Sequence, residues 1–563
     1  MKIRIYLLIL LLLAGNVVFG QAQKELIEIR GQVFSSVDKS PVEGASVLAV
    51  SATKTAVTDE KGNFVLQVAK VPEFITVNST DYLAQEFQLY GRQEVKIYLL
   101  PLKSRGYSNT MVLPFQVKKT IDKTGNSTTI YTRDMDRGRK LADEMLVGNV
   151  VGVRALQKSG MPGEGYFLAL RGTRSLVGDN MSLIVIDGMP ILPDLTLSSA
   201  FTGYSKNILR NVSLKEIDNI SVTKGYDAAP FGAVSSNGVI MINTDRAIDM
   251  ETKVEFETVN GVGLRPRKLP LLDAADFKNY LYRIGQTEFN SDELYNRFSF
   301  LREDPRYGEG YYAYQHNTDW QDEIFSPAFS TENILKVKGG DAVAKYSLLA
   351  GYMQENGIED NSKMSRYYAR FNGDMKMSRK LSMFTNVGFS YYNNNIHEQG
   401  MVPEINPILA AIRKPSILGP YRVNKYNQQL SVWDPVRQFG VSNPAVIVNE
   451  VEGNNVLYNT MVNLGLSFDF TPELQLRGLF GINYDYNREK MFIPGVSTDA
   501  LIPLEGGRAR NMIRNGAGKS MSYYGNVTLS YQHGFQKGHY LSAMAGVQML
   551  FRDRLYEYAK GIN

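Results

Sequence analysis

The residues equipped to act as acid, base or metal ligand are few and poorly spaced for it. The four histidines, His316, His397, His533 and His539, form no H-E-x-x-H or comparable zinc-ligand spacing. His533 and His539 flank an expected turn and read as surface residues. Cysteine is absent, which removes disulfides, thiol catalysis, cysteine metal sites and a lipidated cysteine. Asp187, Asp218 and Lys224 are the charged residues closest to acid–base machinery, two carboxylates and a lysine. Each sits at a turn or strand end beside glycine or asparagine, and no nucleophile–base pair accompanies them, so solvation or local hydrogen bonding explains them. No catalytic residue, metal or cofactor is expected, and the chain reads as no enzyme.

The elements around these residues are β in character. At 563 residues the chain is too long for one domain. Its 49 glycines, 33 tyrosines and 26 phenylalanines, with only 2 tryptophans and a mean hydropathy of −0.22, suit strands rather than a bundle of membrane helices. The formal charge of 62 − 57 = +5 is too small to argue for nucleic acid. The one long apolar run, Ile5 to Ala14, follows Lys2 and Arg4 and precedes small residues at Gly20 and Ala22. Residues 1–20 read as a secretory signal, too short to span a bilayer as a helix.

Residues 21–102 alternate in short runs separated by turn residues and read as a small β-sandwich. Thr58 to Phe64 reads as a hairpin with Gly62 supplying positive φ. Residues 103–128 form a polar, extended linker, interrupted by the apolar, β-prone island Asn109-Thr110-Met111-Val112-Leu113-Pro114. Such an island suits pairing with the edge of a partner sheet, or packing on a neighbouring domain. Residues 129–248 carry a helical pattern over 141–152, then the runs Leu168–Thr173, Leu183–Ile191, Ile217–Gly225 and Ser236–Thr244. Asp187-Gly188 and Asn237-Gly238 are hairpin signals between apolar runs.

In this order and spacing the runs resemble the plug of TonB-dependent outer-membrane receptors, more narrowly the SusC/RagA group. Ile29-x-Gly31-x-Val33, Pro41-x-x-Gly44-Ala45 and Thr58-Asp59-x-x-Gly62-x-Phe64 resemble the carboxypeptidase-regulatory-like domain that precedes the plug in that group. The resemblance marks Arg171, Gly172, Asp187, Gly188, Lys224, Gly225, Asn237 and Gly238 as structural plug positions, with Arg171 on a strand as a latch to acidic groups of a surrounding wall. It places the TonB-coupling segment at Asn109–Pro114, where the usual acidic-plus-valine pattern is only loosely matched. It implies TonB with ExbB and ExbD, a SusD-like surface lipoprotein and outer-membrane lipid as partners. It also implies an oligosaccharide or peptide ligand, with substrate-binding residues unassigned and the N-terminal domains in the periplasm. A non-transporting ligand-binding or signalling receptor with the same plug is the alternative.

After residue 249 the strands lengthen. Tyr458–Phe470 puts Tyr458, Val462, Leu464, Leu466 and Phe468 on one face and Asn459, Asn463 and Asp469 on the other. Nine such strands are expected, near 253–261, 331–340, 343–354, 366–376, 381–393, 456–470, 473–487, 521–532 and 538–551, with connections alternately short and long. That parity is the signature of an outer-membrane barrel. A plugged barrel needs roughly 22 strands, so residues 249–563 read as the N-terminal part of one, and the chain as a fragment or truncated product. The tyrosines Tyr352, Tyr367 and Tyr391, near strand ends, fit an interfacial girdle.

Overall fold

The computed structural model describes residues 27–562 apart from 36–38, 50–54, 69–73, 80–81, 90–91, 100–109, 113–116, 120–125, 133–140, 177–179, 193–198, 202–208, 210–211, 248–249, 342, 401–404, 435–437, 496–501, 505–506, 510 and 535–539. The expected leader and Asn109, Leu113, Pro114 and His539 lie outside the described residues. The chain divides into two units, Met1–Asn109 and Thr110–Asn563.

The first unit has the strands β1 (Ile27–Ser35), β2 (Ser46–Leu48), β3 (Ala56–Val57), β4 (Asn63–Val68), β5 (Phe74–Ser79), β6 (Tyr82–Gln88) and β7 (Glu94–Leu99). They form two sheets, β4-β1-β7 and β3-β2-β5-β6. Period-two alternation buries Phe64, Leu66 and Val68 of β4 and Val95, Ile97 and Leu99 of β7 against Ile29, Val33, Ile75 and Val77. Asp59 sets the turn before β4, its Oδ1 accepting from the backbone N–H of Lys61 (2.9 Å) and Asn63 (2.7 Å). Gly62 has φ 76°, and a Cβ there would come within 2.4 Å of the Val33 carbonyl oxygen. Because β3 and β4 belong to different sheets, this turn carries the chain between layers instead of closing the expected hairpin.

The second unit opens with a hairpin of β8 (Thr110–Val112) and β9 (Val117–Lys119), paired Thr110↔Lys119, Met111↔Lys118 and Val112↔Val117. Thr110–Val112 of the linker's apolar island are thus a strand paired within their own chain. A five-stranded sheet follows, in the order β10 (Asn126–Tyr131), β15 (Ile217–Lys224), β16 (Val239–Thr244), β13 (Leu183–Ile186), β14 (Met189–Ile191). A separate hairpin pairs β11 (Val153–Gln157) with β12 (Tyr166–Leu170). The sheet buries Ile184, Ile186, Ile220, Val222, Ile240 and Ile242 against Met145 and Leu146. The expected helix over 141–152 is only a 3₁₀ turn, Ala142–Met145. Leu141 at its start provides no side-chain cap, and Gly148 and Gly152 at φ 75° and 79° take the chain out of helical space.

Nine antiparallel strands then form one meander: β17 (Met250–Gly263), β18 (Ala328–Gly340), β19 (Ala344–Asn356), β20 (Lys363–Lys376), β21 (Leu381–Asn395), β24 (Glu452–Asp469), β25 (Leu474–Ile493), β28 (Met512–Gly534) and β29 (Tyr540–Ile562). The small hairpins β22 (Tyr421–Val423) with β23 (Gln429–Trp433), and β26 (Ile502–Leu504) with β27 (Gly507–Ala509), lie in long connections. These connections also carry helices the sequence reading left out, among them Ala274–Gly285, capped by Asp273, and Pro444–Glu450, capped by Asn443. The sheet is apolar outside and polar inside. On β24, Tyr458, Val462, Leu464 and Leu466 are 38–44% exposed while Asn459, Met461 and Asn463 are buried. Among the described residues no helix is long and apolar enough to cross a membrane.

Candidate functional site

The polar inner face of the meander meets the sheet of residues 126–244, and the candidate site is this seam. Ser213 caps the 3₁₀ turn Leu214–Glu216, its Oγ accepting from the Lys215 N–H at 3.3 Å, and the turn directs Glu216 into the wall. Arg370 of β20 donates from Nε to Glu216 Oε2 at 2.8 Å and from Nη1 to Asn386 Oδ1 at 3.0 Å. Arg366, two pleat repeats away on the same face, holds Nη2 4.0 Å from Glu216 Oε1. Its guanidinium lies 4.6 Å from the Tyr368 ring and 5.6 Å from that of Tyr392, and its Nε and Nη2 have no hydrogen-bond partner among the described residues. Glu216 is therefore a buried carboxylate facing two buried arginines. Beside it, Glu332 Oε1 accepts from Tyr368 (2.7 Å) and Ser213 (3.3 Å).

A neutral contact adjoins this charged one. Asn372, Asn386 and Asn463 stand directly opposite one another across β20, β21 and β24. Asn372 and Asn386 donate to Thr244 Oγ1 at 3.0 and 3.3 Å, and Asn463 to the Ile186 carbonyl at 3.4 Å. Thr244 in turn donates to Asp187, from its N–H at 2.9 Å and its hydroxyl at 2.6 Å. Where the chain leaves this sheet for β17, Arg246 pairs with Asp374 at 3.0 Å and Asp245 with Lys336 at 3.0 Å and with Lys338. Burial alone would raise the Asp245 carboxyl, but the two lysines hold it below its usual range. At the long-loop end of the wall, Glu489 accepts from the Ala200 N–H at 2.7 Å, and Asn394 donates to the Pro162 carbonyl at 2.9 Å. Arg514 bridges the Ala200 carbonyl and Glu398, both at 3.1 Å.

The residues expected from sequence have local, backbone-shaping places. Asp187 and Gly188, at φ 47° and 88°, turn β13 into β14 as a hairpin. Asn237-Gly238 is not a hairpin loop. It is the turn that feeds β16 after a stretch of 3₁₀ structure, and a Cβ on Gly238 would meet Leu170 Cδ1 at 2.4 Å. Lys224 ends β15 and donates from Nζ to the Val151 carbonyl; burial lowers its pKa, and the neighbouring Arg171 adds to that. Gly225, at φ 80°, starts the turn after it. Arg171 lies just past β12 rather than on a strand, at φ 58° with Gly172 at 84°, and its charge faces Lys224. Among the described residues it makes no ion pair. The pairing across the seam has the opposite polarity, an acid at Glu216 and bases at Arg366 and Arg370. Arg370 was already on the polar face of its strand in sequence, but its partner is 154 residues away. No group of acidic and histidine side chains among the described residues could hold a metal.

Comparison with known proteins bears on this arrangement. Residues 119–239 match the TonB-dependent Receptor Plug Domain and residues 29–112 the CarboxypepD_reg-like domain. The TonB-dependent receptor SusC of Bacteroides thetaiotaomicron is 26% identical over 501 residues, covering 84% of this chain and 46% of its own length. The TonB-dependent receptor P26 of Formosa agariphila is 22% identical, covering 91% of this chain and 48% of its own. Among solved structures, the RagAB peptide importer in its open-open state matches with a TM-score of 0.63 at 16% identity, over 80% of this chain and 50% of that one. Its closed-closed state gives 0.60 at 17% identity, over 78% and 49%. The likeness to the solved structures is one of fold. The chain spans about half the length of the curated relatives it matches. With a regulatory-like domain, then a plug seated on strands of the same fold, the chain is similar over most of its length to TonB-dependent receptors of the SusC/RagA type.

Proposed function

We propose that the receptor carrying this chain is an outer-membrane importer of oligosaccharides or peptides, gated by residues 126–244 and driven through TonB with ExbB and ExbD. The observation behind the reading is the inverted sheet, apolar outside and polar inside, with a separate five-stranded sheet seated on its polar face by Glu216 and Thr244. Such a wall separates lipid from a wet lumen, and the seated sheet obstructs that lumen. The boundaries 1–20, 21–102, 103–128, 129–248 and 249–563 describe its leader, regulatory-like domain, linker, plug and wall. The N-terminal domains then face the periplasm, and the long connections reach outward towards a SusD-like lipoprotein. One relative by fold is titled a peptide importer, which supports the peptide class. Coupling is assigned to Asn109–Pro114, since strand pairing rests on backbone groups that β8 can offer.

The test is uptake by the full-length receptor, in cells with and without TonB, of fluorescent oligosaccharides and peptides supplied separately. TonB-dependent accumulation of either class is the expected result. Surface binding with no accumulation of either would sink the importer reading in favour of a binding or signalling receptor.

A further inference from the structure

The outer face carries a feature that a lipid-facing wall does not need. Its apolar band ends in an unbroken row of tyrosines on five neighbouring strands, paired Tyr352↔Tyr367, Tyr367↔Tyr391, Tyr391↔Tyr458 and Tyr458↔Tyr486. Successive ring centroids are 4.7, 6.1, 4.9 and 6.0 Å apart. From Phe468 to Tyr458, ten residues of tilted strand at ~3.4 Å each span about the 25 Å of an outer-membrane apolar band. The row therefore marks one lipid–water boundary, and the next outward-facing positions lie at headgroup depth.

Those positions hold Arg488 and Lys490 on β25, and Lys519 on β28 extends the row itself, all three exposed. Lys519 stands opposite Tyr486, Arg488 opposite Ala517 and Lys490 opposite Asn515, so Arg488 lies between the other two on one face, about 7–8 Å from each, with Lys490 and Lys519 on the order of 14 Å apart. Among the described residues none of them has an acidic side chain within ion-pairing distance. Glu452 stands opposite Phe492 at one flank, and Glu557, opposite Ala517, is diagonal to Lys519 without pairing with it. Three mutually repelling cations kept together without partners, at the depth of lipid phosphates and beside apolar surface, match an anion delivered by the membrane itself. We infer that Arg488, Lys490 and Lys519 form a binding site for the phosphate of an anionic membrane lipid, whose acyl chains lie along the face below Tyr458 and Tyr486. The inference rests on the outer-membrane reading above and adds a lipid site to it.

The experiment uses the full-length receptor in neutral detergent, titrated with phosphatidylglycerol and followed by native mass spectrometry. A basic residue near a membrane surface contributes on the order of a fivefold change in affinity. Neutralising all three, as Arg488→Gln with Lys490→Gln and Lys519→Gln, should weaken phosphatidylglycerol binding at least tenfold. The charge-preserving set Arg488→Lys, Lys490→Arg and Lys519→Arg should bind as the parent does. Unchanged binding by the glutamine variant overturns the site, as does displacement of the lipid by equimolar inorganic phosphate, which would mean a free anion is the ligand. An acyl-chain photo-crosslinking lipid, applied in bilayers, separates the two readings. If peptides containing Tyr367 and Tyr391 stay unlabelled in parent and variant alike, the membrane reading itself has failed.

Discussion

Glu216 carries more of the seam than any other residue, because two guanidiniums depend on it. Removing one partner of a buried pair leaves the other charge desolvated and uncompensated, which costs about 3–5 kcal/mol. Glu216→Ala leaves both Arg366 and Arg370 in that state, and Arg366 has little else to bond to. The full receptor should lose thermal stability by that order, while Glu216→Leu combined with Arg366→Met and Arg370→Met should recover most of it. A triple variant no better than Glu216→Ala would show that packing rather than charge holds the seam. A second residue-scale prediction concerns Lys414, which follows the helix Pro407–Arg413 in a long connection. Its Nζ donates to the Val441 carbonyl at 2.9 Å and lies 5.8 Å from the Trp320 ring. Burial pushes its pKa down from 10.5 to about 7, against the opposing pull of Asp434. His316, also half-buried near Asp434, is held below 6.5 and titrates outside this window. Between about pH 7 and 10.5 the opened loop binds a proton that the packed loop does not, so packing gains as pH rises and the gain ceases below 7. Hydrogen exchange over 407–418, corrected for its intrinsic pH dependence, should show rising protection from pH 7 to 9. Lys414→Met should flatten that profile.

The hairpin of β8 and β9 is the element where coupling and pairing compete. Thr110–Val112 already has a neighbour in Val117–Lys119, and a two-stranded hairpin this short is marginal on its own. Proline removes a donor and fixes φ, so it distinguishes the two strands. In the full-length receptor, Met111→Pro or Val112→Pro should abolish uptake and spare surface binding, whereas alanine at these sites should do little. Lys118→Pro frees β8 from its own partner and should leave uptake intact or raise it. Loss of uptake with Lys118→Pro alone would mean that the intact hairpin is what the partner recognises. The same element scale explains what sequence could reveal. The nine wall strands were legible because each separates an apolar from a polar environment, which writes strict alternation into runs such as Tyr458–Phe468. The first nine residues of β28, Met512 to Ser520, escaped notice because Gly516 and Gly518 break that alternation, and only pairing with β25 defines them. The helix over 141–152 was misread because spacing said nothing of the left-handed glycines at 148 and 152. The turn at Asp187-Gly188 is local chemistry and was readable. The Glu216–Arg370 contact joins residues far apart in sequence, and no local pattern encodes it.

At the scale of the whole molecule, the seated sheet owns most of its core yet borrows its charge balance. Its main cluster takes Met461 and Tyr524 from the wall, but Ile184, Ile186, Ile220, Val222, Ile240 and Ile242 are its own. The Asp187–Thr244 bonds also lie wholly within it. Residues 115–245 should therefore fold alone with a cooperative transition, as small domains with one core do, though less stably than in the receptor. Separation should also shrink the effect of one mutation. In isolation Glu216 has no arginine across from it and regains water, so Glu216→Ala should shift stability by less than about 1 kcal/mol. In the receptor the same change strands Arg366 and Arg370. Chemical denaturation of the isolated domain beside thermal unfolding of the receptor, each with and without the substitution, measures this difference. Equal losses in both would place the importance of Glu216 inside the domain, in its own 3₁₀ turn, and would leave Asn372, Asn386 and Asn463 as the contacts that seat it.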